Sequence, residues 1–324
     1  MSLFVSCTLL VLGFALLTKG ADYFIENSAS LAEEKGISPH VVGVTIVAFG
    51  TSLPELLVSL LSTYRGYSDL ALGNIVGSNI SNIGLVLALS TFIFHYILRQ
   101  NINPDKDANN DSYVMLLAVL LLFLFSNDNM ISKGEGLFFF ILYLFYIFWL
   151  FRRSGEETPI IRETDIEEQI LAVKMGLTEG KTSYVLLFGG LAGLLLGAQL
   201  TVDSAVDIAI SIGISEIVVG LSVVAVGTSL PELAGTISAA RLGHKEIAVG
   251  NVIGSNIANI FLVMGVLAAI NPIEVETNVV QSTLPLLILL TIATFGIIRI
   301  PMTRLSGLIL FAFFALFVYE LTLL

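Results

Sequence analysis

Long apolar runs constrain this chain more than any other feature of its sequence. Examples are Val114–Phe125, Leu137–Phe151 and Leu284–Ile298. Runs that approach about 20 residues match the hydrocarbon core of a bilayer, which is about 30 Å thick. Hydrophobic residues make up 56% of the chain and charged residues only 13%, roughly half the charged share of a soluble domain. The sequence therefore predicts an all-α membrane protein, since helices of this length satisfy their own backbone in lipid.

Ten candidate transmembrane helices can be placed along the chain. Their approximate limits are 3–22, 39–62, 68–98, 112–126, 135–151, 183–208, 214–240, 246–270, 279–299 and 302–323. The longest connection, residues 152–182, is polar and mixed in charge. It is predicted to link a first five-helix unit, residues 1–151, to a second one, residues 183–324.

Lysine and arginine predict the orientation of these helices. When the connections are numbered in order, the odd ones and the span ends beside them hold thirteen of these residues, and the even ones hold only two, Arg65 and Lys133. Basic residues concentrate on the cytoplasmic side of membrane proteins. The linker 152–182 is therefore predicted to be cytoplasmic, with both termini outside, in an integral protein of the plasma membrane.

Other functional classes lack support in the sequence. A net charge of −11 argues against nucleic-acid binding, and the single cysteine, Cys7, gives no disulfide framework. The metalloprotease motif HExxH and the hydrolase motif GxSxG are absent. The acidic run Glu163–Glu168 lacks the ligand spacing of an EF-hand and reads as a solvated surface. We expect no enzyme activity and no cofactor, and the oligomeric state stays open.

The chain repeats itself at an offset of 177 residues. The segment GTSLPE occurs at Gly50–Glu55 and again at Gly227–Glu232. GNIVGSNISNI at Gly73–Ile83 returns as GNVIGSNIANI at Gly250–Ile260. Because five predicted spans, an odd number, separate the copies, the second copy must cross the membrane in the opposite sense. Two inverted five-helix repeats are typical of secondary transporters whose site lies at the bilayer midplane.

Both copies of GTSLPE place helix-breaking residues inside an apolar span. Gly50 with Pro54, and Gly227 with Pro231, predict that helices 2 and 7 are broken. A broken helix frees backbone carbonyls, which at membrane depth must meet protein or line a wet cavity. Carbonyls, hydroxyls and carboxylates are the oxygen ligands that Ca²⁺ prefers.

Glu55 and Glu232 carry the functional argument. A carboxylate at the bilayer centre costs at least about 2.5 kcal/mol, and such residues commonly mark ion pathways. A protonated or snorkelling glutamate at a helix end is the alternative. Both residues lie near mid-span, however, and no lysine or arginine occurs in the second, third, seventh or eighth predicted spans. Cations are the partners that remain.

The second repeated segment supplies further polar side chains. Within it, a serine and an asparagine four residues apart share one helical face in each copy. These candidate ligands are Ser78, Asn82, Ser255 and Asn259. The glycines are predicted to allow close helix packing. The remaining asparagines could either bond between helices or line the site, and they are Asn74, Asn79, Asn251 and Asn256.

At these residues the chain resembles the sodium/calcium exchanger family of the calcium/cation antiporters. The resemblance rests on two GTSLPE segments, each followed by GN..GSN..N. It implies Na⁺/Ca²⁺ exchange by alternating access, with the bilayer and the two ions as the only partners. It also implies a Ca²⁺ site with flanking Na⁺ sites. The carboxylates would come from Glu55 and Glu232, backbone carbonyls from Thr51, Thr228, Ala48 and Ala225, and side-chain oxygens from Ser52, Ser229, Ser78, Ser255, Asn82 and Asn259.

Two alternatives to Na⁺/Ca²⁺ exchange remain at this stage. One is an H⁺-coupled Ca²⁺ exchanger, since facing carboxylates without a cation can bind protons. The other is a passive cation channel lined by a carboxylate pair. Family members that depend on K⁺ carry Asp at the position of Asn259, so the resemblance favours exchange without K⁺.

Overall fold

The computed structural model describes residues 3–64, 68–97, 99, 101–102, 106–154, 182–212 and 227–321. Across these ranges the protein is almost entirely helical. Residues 155–181 of the predicted linker, with the acidic run Glu163–Glu168, fall outside this description. So do residues 213–226, which include Ala225 and the first part of the predicted seventh helix.

Eleven helices and two short strands are numbered in chain order over these ranges. The helices of the first half are α1 (Leu3–Lys35), α2 (Pro39–Thr51), α3 (Leu53–Tyr64), α4 (Ala71–Tyr96), α5 (Lys106–Phe125) and α6 (Lys133–Ser154). Those of the second half are α7 (Tyr184–Ser211), α8 (Leu230–Arg241), α9 (Lys245–Ile270), α10 (Val279–Ile297) and α11 (Arg304–Leu321). The strands are β1 (Met130–Ile131) and β2 (Ile273–Glu274).

Seven helices of the described ranges are long and apolar enough to cross a membrane. The pair α2 and α3 makes an eighth span if both are counted as one. Two of the ten predicted spans do not reach this length. The span 214–240 is described only from residue 227 onwards, and α11 is a shorter apolar helix.

The second predicted span is broken, and the break lies at Ser52, between the predicted glycine and proline. Helices α2 and α3 meet there at a bend of 43°. Pro54 is the second residue of α3, where a missing N–H removes no bond within the helix. Pro231 occupies the matching place in α8. Proline thus lies in the first turn of each of these two helices.

Glycine lets α2 lie directly against α9. A Cβ atom added at Gly254 would lie 2.5 Å from the backbone oxygen of Val44, and one added at Gly250 would lie 3.1 Å from the Val44 nitrogen. The packing role predicted for these two glycines is confirmed. Their counterparts differ, because Gly77 would make an ordinary 3.7 Å contact and Gly73 has no described atom within 4 Å.

Two backbone bridges join the first half to the second. Strands β1 and β2 pair antiparallel, with Met130 opposite Glu274 and Ile131 opposite Ile273. Ile102 forms an isolated antiparallel bridge with Met302. The first bridge links the connection after α5 to the connection after α9. The second links the connection after α4 to the connection after α10.

A buried hydrogen bond between two side chains fixes the start of α2. The Nε2 atom of His40 lies 2.8 Å from Oδ2 of Asp111 in the first turns of α5, and both side chains are fully buried. One turn earlier in α5, Asp107 pairs with Arg153 at the end of α6. Helix α5 is therefore tied to two neighbours by side chains that the apolar pattern did not predict.

We expect His40→Leu to lower the free energy of unfolding by about 3–5 kcal/mol, because it leaves the buried Asp111 carboxylate without the imidazole. The double variant His40→Leu/Asp111→Leu should recover most of this loss, since neither polar group remains. Denaturation in detergent measures both. Lys35→Met is the control, because its ion pair with Glu34 is exposed and screened by solvent. A His40 effect no larger than the control would contradict this account.

Candidate ion-binding site

The two repeated glutamates lie in the interior of the protein. Glu55 is in the first turn of α3 and Glu232 in the first turn of α8, and each has 0% relative exposure. The start of a helix favours negative charge, because its free N–H groups and its dipole point there. The first turn of each of these two helices therefore presents a carboxylate where the backbone can stabilise it.

Side chains from the two halves meet at this point. Ser52, at the bend between α2 and α3, donates a hydrogen bond of 2.9 Å to Oε1 of Glu232. Ser78 of α4 lies 3.3 Å from the hydroxyl of Thr228, just before α8. The structure thus brings predicted site residues of both halves together.

Many oxygen atoms of this cluster are buried without a hydrogen bond. Within the described part of the chain, no partner is found for either carboxylate oxygen of Glu55 or for Oε2 of Glu232. The same holds for the side-chain oxygens of Ser229, Ser255, Asn82 and Asn259. Buried polar atoms normally have partners, and leaving one unpaired costs about 1–3 kcal/mol. The shared property of these atoms is that each can donate electrons to a cation.

The donor set suits a hard cation. No group of three or more His, Cys, Asp or Glu side chains is found among the described residues. Two carboxylates with hydroxyl and amide oxygens match the ligands of Ca²⁺, whereas zinc sites are built from His and Cys. Transition-metal chemistry has no matching ligands in this cluster.

Local widening of two helices coincides with the predicted asparagine ligands. A π-helical segment begins at Asn82 in α4, and another begins at Ala258, one residue before Asn259, in α9. A third, Gly43–Val47, precedes Ala48 in α2, and two others, Ile93–Ile97 at the end of α4 and Val279–Thr283 in α10, contain no predicted ligand. Such segments are rare and concentrate at functional sites. No sequence signal for them was recognised.

The backbone carbonyl of Ala48 already accepts hydrogen bonds. The N–H of Ser52 donates to it at 3.0 Å, and the hydroxyl of Thr51 lies 3.3 Å away. Ala48 and Thr51 are fully buried beside the break. Its counterpart, Ala225, lies outside the described residues.

The structure resolves the open question for two of the four remaining asparagines. Asn74 donates at 3.0 Å to the hydroxyl of Ser59, and Asn251 donates at 2.9 Å to that of Thr236. Both asparagines are buried and form hydrogen bonds between helices. Sequence reasoning overlooked Ser59 and Thr236, although they too are related by the offset of 177 residues.

The other two asparagines behave differently from each other. Asn79 accepts a hydrogen bond of 3.3 Å from Asn259, which joins α4 to α9. Asn256 donates at 2.8 Å to the carbonyl of Val252 in its own helix. The cluster is therefore only partly symmetric.

Comparison with known proteins agrees with this geometry. The family described as sodium/calcium exchanger protein matches residues 5–152 and 182–323. The chain belongs to the sodium/calcium exchanger family. It is 32% identical to the sodium/calcium exchanger MaX1 of Methanosarcina acetivorans, over 98% of each chain. It is 38% identical to the membrane protein MJ0091 of Methanocaldococcus jannaschii, over 77% of each chain.

A solved exchanger has the same fold. The sodium-calcium exchanger NCX_Mj, soaked with 100 mM Na⁺ and 10 mM Sr²⁺, superposes with a TM-score of 0.81. It is 30% identical and the match covers 98% of both chains. This membership makes the protein a helical membrane antiporter and not an enzyme. It also confirms the resemblance drawn from the repeated motifs.

Removing the hydroxyl of Ser52 should destabilise this exchanger-family protein when Na⁺ and Ca²⁺ are absent. Ser52→Ala deprives the buried Glu232 carboxylate of its hydrogen bond, so we expect a loss of about 1.5–3 kcal/mol. Ser229→Ala is the matched control and should cost less, since the Ser229 hydroxyl has no partner among the described residues. Thermal denaturation in choline buffer with a chelator measures both. Equal shifts in Tm would contradict the asymmetry.

Proposed function

We propose that this protein exchanges Na⁺ for Ca²⁺ across the membrane by alternating access. The observation that carries the proposal is the pair of fully buried carboxylates, Glu55 and Glu232, one from each repeat. No lysine or arginine of the surrounding spans neutralises them. One Ca²⁺ balances both charges, whereas several Na⁺ ions are needed for the same balance. The two ions can therefore compete for one site.

The proposed ligands follow from the repeated motifs and from the unpaired oxygens. Ca²⁺ is held by the two carboxylates together with the backbone carbonyls of Thr51 and Thr228. Flanking Na⁺ sites use the remaining oxygens. These belong to the carbonyls of Ala48 and Ala225 and to the side chains of Ser52, Ser229, Ser78, Ser255, Asn82 and Asn259.

The proposed architecture has ten spans in two inverted repeats, residues 1–151 and 183–324. The two backbone bridges support it. One joins the third connection to the ninth and the other the fourth to the eighth, so each pair lies on one side of the proposed topology. The third connection of the first repeat corresponds to the eighth in the second repeat, and the fourth corresponds to the ninth. The two bridges are therefore equivalent under exchange of the repeats. The site then lies between the repeats at the midplane, where rocking can open it to either side.

Basic residues orient this architecture. Their concentration in the odd connections puts the linker 152–182 in the cytoplasm and both termini outside the cell. The proposed location is the plasma membrane.

Flux into vesicles tests the proposal. Purified protein is reconstituted into proteoliposomes loaded with Na⁺, and uptake of radioactive Ca²⁺ is followed after dilution into Na⁺-free buffer. The proposal requires uptake that depends on the outward Na⁺ gradient. Uptake driven by a pH gradient alone would identify an H⁺/Ca²⁺ exchanger, and uptake that needs neither gradient would identify a channel.

Neutralising either glutamate should abolish most Ca²⁺ binding. Glu55→Gln and Glu232→Gln keep the shape of the side chain but leave a bound divalent ion short of one buried anion. That should cost several kcal/mol, hence at least about a hundredfold in Ca²⁺ affinity. Glu163→Gln, in the proposed cytoplasmic linker, is the control and should change little. Near-native binding and flux by both midplane variants, once folding is verified, would refute the site.

Exchange should proceed without K⁺. Asn259 is neutral, so the core holds only two fixed carboxylates. The family resemblance associates Asp at this position with dependence on K⁺. Na⁺-driven Ca²⁺ uptake in choline buffer should therefore equal uptake with added KCl. A strict requirement for K⁺ on the Ca²⁺ side would show that this reasoning is wrong.

A further inference from the structure

We propose that Asn74 and Asn251 are paired positioning residues of the ion site. Each joins the second part of the broken helix in its own half to the threonine at the break of the other half. The inference rests on the proposed function for its consequences, but its geometry stands independently.

We call the hydrogen bonds made by each of these asparagines a brace. The first brace is centred on Asn74 of α4. Its Nδ2 atom donates to the Ser59 hydroxyl at 3.0 Å and lies 3.4 Å from the backbone carbonyl of Glu55, both in α3. Its Oδ1 atom accepts a hydrogen bond of 3.1 Å from the hydroxyl of Thr228, which precedes α8. Asn74 therefore connects α3, which carries Glu55, to the residue Thr228 that precedes α8.

The second brace repeats this geometry with the halves exchanged. Asn251 of α9 donates to the Thr236 hydroxyl at 2.9 Å and lies 3.4 Å from the backbone carbonyl of Glu232, both in α8. It accepts a hydrogen bond of 3.1 Å from the hydroxyl of Thr51. The corresponding distances in the two braces agree to within 0.1 Å.

The amide groups of these two residues are engaged by protein. Both side chains are buried. In each, the amide oxygen accepts a hydrogen bond from a threonine hydroxyl, while the amide nitrogen donates to a second hydroxyl. Asn82 and Asn259 differ, because their side-chain oxygens have no partner within the described ranges. Asn74 and Asn251 therefore hold the site in shape, whereas the other pair is available to ions.

Asn251 also determines which acceptor the Thr51 hydroxyl bonds to. Thr51 has one such hydrogen and two acceptors in reach, Oδ1 of Asn251 at 3.1 Å and the carbonyl of Ala48 at 3.3 Å. The Ala48 carbonyl has two lone pairs, and one already accepts from the N–H of Ser52. When Asn251 takes the hydroxyl, the second lone pair stays free for Na⁺.

Removing the Asn251 amide should therefore weaken Na⁺ binding more than Ca²⁺ binding. In Asn251→Leu, the Thr51 hydroxyl turns to the Ala48 carbonyl and competes with the ion. We expect the half-saturating Na⁺ concentration for exchange to rise about tenfold, the equivalent of one buried hydrogen bond. The half-saturating Ca²⁺ concentration should change less than about threefold.

A second substitution separates this role from a general loss of structure. Thr51→Val, added to Asn251→Leu, removes the competing hydroxyl and should return the Na⁺ value to within about threefold of the parent. Asn256→Leu is the matched control, a fully buried asparagine of the same helix whose amide bonds only within that helix in the described part. This control should change the half-saturating concentrations of Na⁺ and Ca²⁺ by the same factor.

Thermal denaturation of the four combinations at Thr51 and Asn251 measures their coupling without any transport. We expect the two substitutions to be clearly non-additive in Tm, and the same for Thr228→Val with Asn74→Leu. If Asn251→Leu does not fold, Asn251→Ala carries the same expectations.

The outcomes distinguish this inference from the proposed function. A parent protein with no Na⁺-dependent Ca²⁺ flux would refute the function, while the coupling in Tm would still report the braces. Intact exchange with equal losses for both ions, no rescue by Thr51→Val, or additive effects on Tm would overturn the positioning role.

Discussion

The structure depends on two carboxyl groups that are removed from water with no basic partner among the described residues. Glu55 and Glu232 are fully buried, and the second, third, seventh and eighth predicted spans contain no lysine or arginine. Burying a carboxylate costs several kcal/mol unless a counter-charge is present. In a fixed ion pair that counter-charge belongs to the protein. Under the proposed function it is a transported cation, so the stability of the centre depends on whether an ion is bound.

The first turns of α3 and α8 make this arrangement tolerable. Proline at the start of α3 and α8 puts each glutamate into a first turn, where free N–H groups favour negative charge. The surrounding hydroxyls and amides can bond to protein or to ions. Ser52 already bonds to Glu232, whereas the Glu55 oxygens have no partner in the described ranges. Two positions equivalent by sequence are therefore unequal in their hydrogen bonding.

The sequence predicted the membrane class, the family and the break in the second span, because apolar length, motif spacing and proline act locally. It also predicted that Glu55 and Glu232 would share a buried environment. It could not assign Asn74 or Asn251, since an amide suits a ligand and a brace equally well until its neighbours are known. The pair His40–Asp111 was missed for a similar reason, because its two residues lie 71 positions apart on different helices.

The reciprocal bonds of Thr51 with Asn251 and of Thr228 with Asn74 have a further meaning. In a two-fold interface, residue i of one copy contacts j of the other, and j contacts i in return. The two halves of this chain meet in that manner, as two subunits of a symmetric dimer would. A symmetric dimer forces both copies of a contact to be identical, whereas one polypeptide lets each copy of the motif differ. Ser52 and Ser229 show this difference, since Ser52 bonds to Glu232 and the Ser229 hydroxyl has no partner among the described residues.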